Sequence, residues 1–451
     1  MSVESPDQPA PNVHGDETWK GDACSLVDAF RSGQRSPAEE LDASLAAIER
    51  SDLNAFAFLD DPEHVRRRAR DADVSMPFGG VPVGIKQLDP VTGWPDTEAS
   101  LVFKDRIATY TTRNNELLID GGGVVPVGLT TASEFGGLNV SVTKINGVTH
   151  NPWRHGRSVG GSSVGSSAAV AGGLVTLASG SDGGGSIRIP AGYTGLVGMK
   201  GTYGRISRGP HAHFSPGTVV LGCLTRSARD AARFYDVCAG HDPRDPWSLP
   251  SPGGWEAGLD SHDLAGLKVA VVPQFGGVTL DPGVEDSLRA TAGSFIKATG
   301  MVPVDLSIEL PNLAAAWMMG NLAGLLATLG DRWPACAGDL TQEIAIGLIM
   351  SRGMYNLDLA AKAELQRVEL NTAMADAFEK VDLIVTATNP GPAFPAEHTT
   401  SNPAPVIDTL MGKHPPAWPF GPLWAQSAHW PGWRRRSRRG WWRRVRSGCR
   451  T

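Results

Sequence analysis

Lys86 closes the apolar run Val81-Pro82-Val83-Gly84-Ile85. An amine at the end of a buried strand loses its proton more readily than one in water, because a low-dielectric surrounding disfavours the charged form; such a lysine can act as a general base. The plainer reading is a side chain that threads its ammonium back to solvent. Two Gly/Ser-rich stretches follow. Gly160-Gly161-Ser162-Ser163-Val164-Gly165-Ser166-Ser167 leads into an apolar segment, and Ser181-Asp182-Gly183-Gly184-Gly185-Ser186-Ile187-Arg188-Ile189-Pro190 sets a serine directly after three glycines. Consecutive N–H groups of Gly183, Gly184, Gly185 and Ser186 can converge on a developing oxyanion, since no side chains crowd that curve. A flexible linker is the bland alternative. Apolar residues 168–178 and 187–199 pin the flanks, however, and linkers are rarely so confined. A phosphate loop fits poorly, because neither stretch contains G-x-x-x-x-G-K-[ST]. The G-x-S-x-G nucleophile elbow is absent around Ser186.

These residues need rigid elements to hold them. Ser36-Pro37-Ala38-Glu39 is a capping box with proline at the first helical position, and Leu41, Leu45 and Ile48 then share one helix face. Residues 54–59 read as a short strand, 63–70 as a surface helix and 81–85 as a buried strand ending at Lys86. Residues 115–120 read as a helix end stopped by Gly121-Gly122-Gly123, followed by a strand over 124–129. A helix-like stretch is expected over 166–177, a helix over 228–237, a strand over 267–272, a helix over 282–299 and a strand over 383–388. Residues 241–254, rich in Pro, Asp and Gly, read as a loop. Alternating strands and helices argue for an α/β layered fold with parallel pairing, and no internal repeat is visible.

The chain has 451 residues with 41% hydrophobic and 20% charged content, enough to bury a large core. The polar, acidic start excludes an ordinary secretory signal, and no run of eighteen apolar residues suggests a membrane span. Five dispersed cysteines, Cys24, Cys223, Cys238, Cys336 and Cys449, show no metal spacing, so a reduced, cytoplasmic protein is expected. From Lys413 onward there are nine Arg, one Lys and no acid. The net charge of −6 therefore splits into +10 for that tail and −16 for the rest, an acidic body that argues against a nucleic-acid-binding core.

The two Gly/Ser-rich stretches, continued by Gly195-Leu196-Val197-Gly198-Met199-Lys200, resemble the signature region of the amidase signature family. Gly84-Ile85-Lys86, Asn151-Pro152-Trp153 and Leu224-Thr225-Arg226-Ser227-Ala228-Arg229-Asp230 add to the resemblance, as does the spacing of 24 residues between Ser162 and Ser186. The resemblance implies an α/β/α fold around a large twisted mixed sheet and hydrolysis of a carbon–nitrogen acyl bond without metal or organic cofactor. It implies Ser186 as nucleophile, Ser162 (after a cis peptide bond) as proton relay and Lys86 as base. Gly183, Gly184 and Gly185 would form the oxyanion hole, with Asp182 and Arg188 as supports or simply as a pair within the fold. The partner implied is a small amide substrate, with neither nucleic acid nor membrane, and a homodimer is compatible. A glutaminase-type subunit of a tRNA amidotransferase is one alternative, and a truncated, inactive relative is another. Gln87, Leu129 and Val164 stand where the family usually carries Asp, Lys and Gly, so specificity does not transfer.

Domain boundaries follow: residues 1–21 as a disordered leader, 22–412 as the amidase domain and 413–451 as a tail. The family's usual ending, with a further strand and two Gly- and Pro-containing stretches, is expected to be missing here. Six of the thirteen Trp and nine Arg crowd the tail without helical or strand period. It reads as an Arg/Trp-rich nucleic-acid or anionic-membrane patch or as out-of-frame translation of a GC-rich gene, and it is expected to be disordered.

Overall fold

The computed structural model describes residues 17–210, 218–275, 279–311 and 314–397. Along the chain come α1 (Ala23–Ser32), α2 (Pro37–Arg50), β1 (Phe56–Leu59), α3 (Pro62–Arg70), β2 (Pro82–Lys86) and α4 (Arg113–Glu116), which widens into a π turn over Leu117–Gly121. Next are β3 (Val125–Thr130), the small hairpin β4 (Val142–Thr143) and β5 (Gly147–Val148), α5 (Val164–Ala171), β6 (Leu177–Asp182), α6 (Arg188–Thr194), β7 (Val197–Gly198), β8 (Val220–Thr225) and α7 (Ala228–Cys238). The last part holds β9 (Lys268–Val271), α8 (Pro282–Thr299), β10 (Val302–Pro303), α9 (Ala314–Leu329), α10 (Gln342–Met354), α11 (Leu357–Phe378) and β11 (Leu383–Val385). Among the described residues no helix is long and apolar enough to cross a membrane.

A six-stranded mixed sheet in the order β1-β3-β2-β6-β8-β7 forms the centre. The β3, β2 and β6 strands run parallel, while β1, β8 and β7 pair antiparallel at the two sides. Both faces are covered. Val83, Ile85, Leu177, Leu221 and Cys223 pack against α1 and α7 through Leu26, Phe30, Phe234 and Tyr235. Val125, Val127 and Ala178 meet α2, α3 and α5 through Leu41, Val65, Val164 and Ala168. This is the α/β/α layering expected, around a mixed sheet; β10-β9-β11 hydrogen-bond among themselves as a separate parallel sheet packed on α11.

Local signals hold where chain chemistry dictates them. Ser36 Oγ accepts from the Glu39 N–H and Glu39 accepts from the Ser36 N–H, closing the capping box at α2. The motif 224–230 also acquires a reason. Arg226 donates to the carbonyls of Trp19, Gly21, Val170 and Val175, and Asp230 accepts the N–H groups of Ala23 and Cys24 at the start of α1. That staple also orders chain expected to be a leader: Trp19 is buried and its N–H donates to Glu40. Residues 166–177, read as one helix, are instead the end of α5, a turn at Gly172 and Gly173, and the start of β6. Gly173 takes φ 76°, which ends the helix, and Val175-Thr176-Leu177 favours extended chain. The expectations for residues 1–16 and for the tail at 413–451 fall outside the described residues, as does most of the segment 388–412.

Candidate active site

β2 and β6 lie side by side in parallel, pairing Val83 with Leu177 and Gly84 with Ala178, so the end of β2 arrives beside Ser179 and Ser181. Lys86 has no exposed surface. Its backbone N–H donates to Ser179 Oγ at 2.9 Å, and its amine lies 3.0 Å from Ser162 Oγ, 2.9 Å from Ser181 Oγ and 3.3 Å from Ser181 O. Burial lowers the Lys86 pKa from 10.5 to about 8, against the pull of Asp89, Asp182 and Glu98. Asp89, three residues on and fully buried, is pushed up to about 6 by the same desolvation.

Ser162 sits at the entry to α5, and the Gly161–Ser162 peptide bond is cis. α5 can approach the sheet this closely because of Gly165: a Cβ there would fall on the Ala55 carbonyl oxygen and the Thr131 amide. Ser163 N–H donates to Ser186 O at 3.2 Å, which ties the second Gly/Ser stretch to the first. Ser186 is half-buried, and no hydrogen bond joins its hydroxyl to that of Ser162. The structure thus links Lys86 directly to Ser162 and places Ser186 next door through the backbone.

Asp182 organises the turn carrying Ser186. Its carboxylate accepts the N–H groups of Gly185 (2.8 Å), Ile187 (3.2 Å) and Arg188 (3.4 Å) and forms a two-pronged pair with the Arg188 guanidinium at 2.9 Å on each arm. Although burial opposes ionisation, Arg188, Lys200 and these hydrogen bonds hold Asp182 well below the usual carboxylate range. Gly185 takes φ 116°, a conformation open to glycine almost alone. Its N–H is spent on Asp182, so of the three glycines expected around an oxyanion, Gly183 and Gly184 keep theirs, as does Ser186.

Two site residues escaped the sequence reading. Ser179 and Ser181 share one face of β6 by the two-residue strand period, a signal legible only once β6 is seen to begin at Leu177. Gln87 bridges Thr97 Oγ1 and Asn146 Nδ2, each at 2.7 Å, and so has become a structural tie. Among the described residues no group of three or more His, Cys, Asp and Glu side chains is placed to hold a metal ion.

A family model described as Amidase matches residues 39–419. The chain belongs to the amidase signature family. A glutamyl-tRNA(Gln) amidotransferase subunit from Deinococcus radiodurans is 34% identical over 426 residues, covering 86% of each chain. A bacterial aryl acylamidase of the amidase signature family superposes with a TM-score of 0.77 at 25% identity, covering 83% of this chain and 81% of the other. A 6-aminohexanoate cyclic dimer hydrolase, in complex with its substrate, superposes with a TM-score of 0.73 at 27% identity, over 80% and 77%. Within this amidase-family hydrolase the six-stranded mixed sheet is the part that carries Lys86, Ser181 and Asp182, while the loop entering α5 and the turn before α6 supply the two serines.

Proposed function

We propose that the chain hydrolyses a small amide through an acyl-enzyme, with Ser186 as nucleophile, Ser162 as relay and Lys86 as base. The observation that carries this reading is the fully buried Lys86 amine 3.0 Å from Ser162 Oγ. A neutral amine has one lone pair and two N–H groups. Around Lys86, Ser162 O–H would donate to the lone pair while the N–H groups go to Ser181 Oγ and Ser181 O. Ser186 Oγ attacks the carbonyl carbon as its proton passes to Ser162 Oγ, whose own proton passes to Lys86 Nζ. The N–H groups of Gly183, Gly184 and Ser186 receive the oxyanion, preorganised by the hold of Asp182 on the turn. Collapse expels the amine, protonated through Ser162 from Lys86. Water then attacks the ester by the same relay and releases the acid.

Labelling with a fluorophosphonate followed by mapping of the modified residue tests the assignment. Label is expected on Ser186, and Ser186→Ala should abolish both labelling and amide turnover, a loss on the order of 10⁴-fold or more. Label on Ser162 or Ser163 in the unmutated chain would reverse the roles.

A second reading, a glutaminase-type subunit delivering ammonia within a tRNA amidotransferase, is favoured by the name of the 34%-identical relative. Stable co-purification with further subunits, and glutamine hydrolysis that depends on them, would select it; turnover of simple amides by the isolated chain would select the first.

A further inference from the structure

Three acids act on the Lys86 amine: Asp89 on the turn that follows β2, Asp182 at the end of β6, and Glu98 on the segment before Ser100. Each favours the protonated form, and Asp89 pulls hardest. Two of the three charges are already matched. Asp182 makes its two-pronged pair with Arg188 and accepts N–H groups from the turn before α6. Glu98 is partly exposed and lies 3.4 Å from Arg106. Asp89 has no such company. It has no exposed surface, and neither carboxylate oxygen has a hydrogen-bond partner in the protein, Lys86 Nζ included. A buried carboxylate without donors is costly, and a nearby cation is what can offset it. Lys86 is the cation that acts on it, and Glu98 and Tyr110 are the other titratable groups that feel its charge.

The backbone fixes this residue from both sides. Asp89 N–H donates to Lys86 O at 2.9 Å, closing a turn onto the end of β2. Asn115 Nδ2, on α4, donates to Asp89 O at 3.0 Å and to Pro90 O at 3.4 Å, and Pro90 O also accepts the Thr112 N–H. Leu88, the preceding residue, packs with Ala99 and Ala132. A charge held in this way is already oriented when the amine changes state.

We propose that Asp89 is a positioning residue for the reaction: its unmatched carboxylate favours the ammonium that Lys86 becomes when the Ser186 proton arrives through Ser162. This rests on the amide-hydrolysis reading above, with Lys86 as base. Asp89 itself neither gains nor loses a proton. Its interaction is weak with the neutral amine present before attack and strong with the ammonium formed during it. An interaction of that kind raises the rate of the chemical step more than it tightens substrate binding.

Two variants that remove the charge test it: Asp89→Asn, which keeps the shape, and Asp89→Leu, whose apolar side chain suits a site without donors. Two readouts are taken on the full-length protein. One is the titration of Lys86 by NMR of chain labelled isotopically at lysine Cε, its signal identified by its loss in Lys86→Ala. The other is the pH profile of amide turnover. In both variants the Lys86 titration and the rising limb of the profile should move down together by about one pH unit, as for loss of a nearby opposite charge. The plateau kcat should fall by about three- to tenfold with KM little changed, because the ammonium is less stabilised. Above the Lys86 pKa of about 8 the melting temperature should not fall, since no donor loses a partner. A Lys86 titration that stays near its unmutated value in both variants overturns the proposal. Loss of the fold in both would assign Asp89 to structure and overturn it as well. Failure of the hydrolytic reading would show separately, as absence of turnover and of fluorophosphonate labelling in the unmutated chain, and the Lys86 titration would still decide the electrostatic tie.

Discussion

An amine with no exposed surface holds its proton poorly, and the three oxygens around Lys86 suit a neutral amine as well as a charged one. A base must be neutral to accept a proton. With burial lowering the Lys86 pKa to about 8, amide turnover should climb as pH rises through that value and level off above it. The same shift means that the unfolded chain, whose lysine titrates near 10.5, binds the proton more tightly than the folded one; its cost to stability is complete below about 8 and disappears by about 10.5. Lys86→Ala should lose nearly as much rate as Ser186→Ala, because members of a relay are not additive. A pH–rate profile together with the rate of the folded Lys86→Ala protein checks both statements, and retention of most of the rate would remove Lys86 from the role.

At the scale of elements, the turn between β6 and α6 depends on one carboxylate. Asp182→Ala would leave Arg188 without its partner and the Gly185 and Ile187 N–H groups without an acceptor. Breaking such a buried pair from one side costs about 3–5 kcal/mol, and denaturant unfolding should register it alongside a large fall in turnover. Because the Asp182 pKa is depressed in the fold, its stabilising contribution is present at neutral pH and is lost as pH falls below the usual carboxylate range. The seat of α5 depends on Gly165 in a different way. Gly165→Ala would push α5 off the Ala55 and Thr131 backbone, and neither can give way as a flexible side chain would. A lowered melting temperature and loss of the Lys86–Ser162 geometry, read as lost activity, are expected; a fully stable, active Gly165→Ala chain would contradict the close approach.

For the whole molecule, the unusual surface is on α10 and α11. Leu357, Leu365 and Val368 are 88%, 64% and 65% exposed, and Ile349 at 64% adds to them. Large apolar side chains exposed in this way promote association. The double variant Leu365→Glu, Val368→Lys should raise the concentration at which light scattering first detects self-association, with the melting temperature unchanged. No concentration dependence in the unmutated chain would dispose of the idea.

Much of the candidate site was legible without coordinates because it is written locally. A lysine closing an apolar strand, a serine after three glycines and a Ser-Pro-Ala-Glu capping box each concern neighbours in the chain, where residue type alone limits conformation. Helix and strand limits were less legible: the apolar stretch around residues 164–177 fits both periods, and only its pairing with β2 and β8 makes its last residue the first of a strand. The partners of Lys86 lie 76 and 95 residues away in sequence. Such meetings are set by strand register and by how closely α5 can approach the sheet, and a one-residue slip would turn Ser181 to the opposite face. For the same reason, only the tertiary structure spends the Gly185 N–H on Asp182.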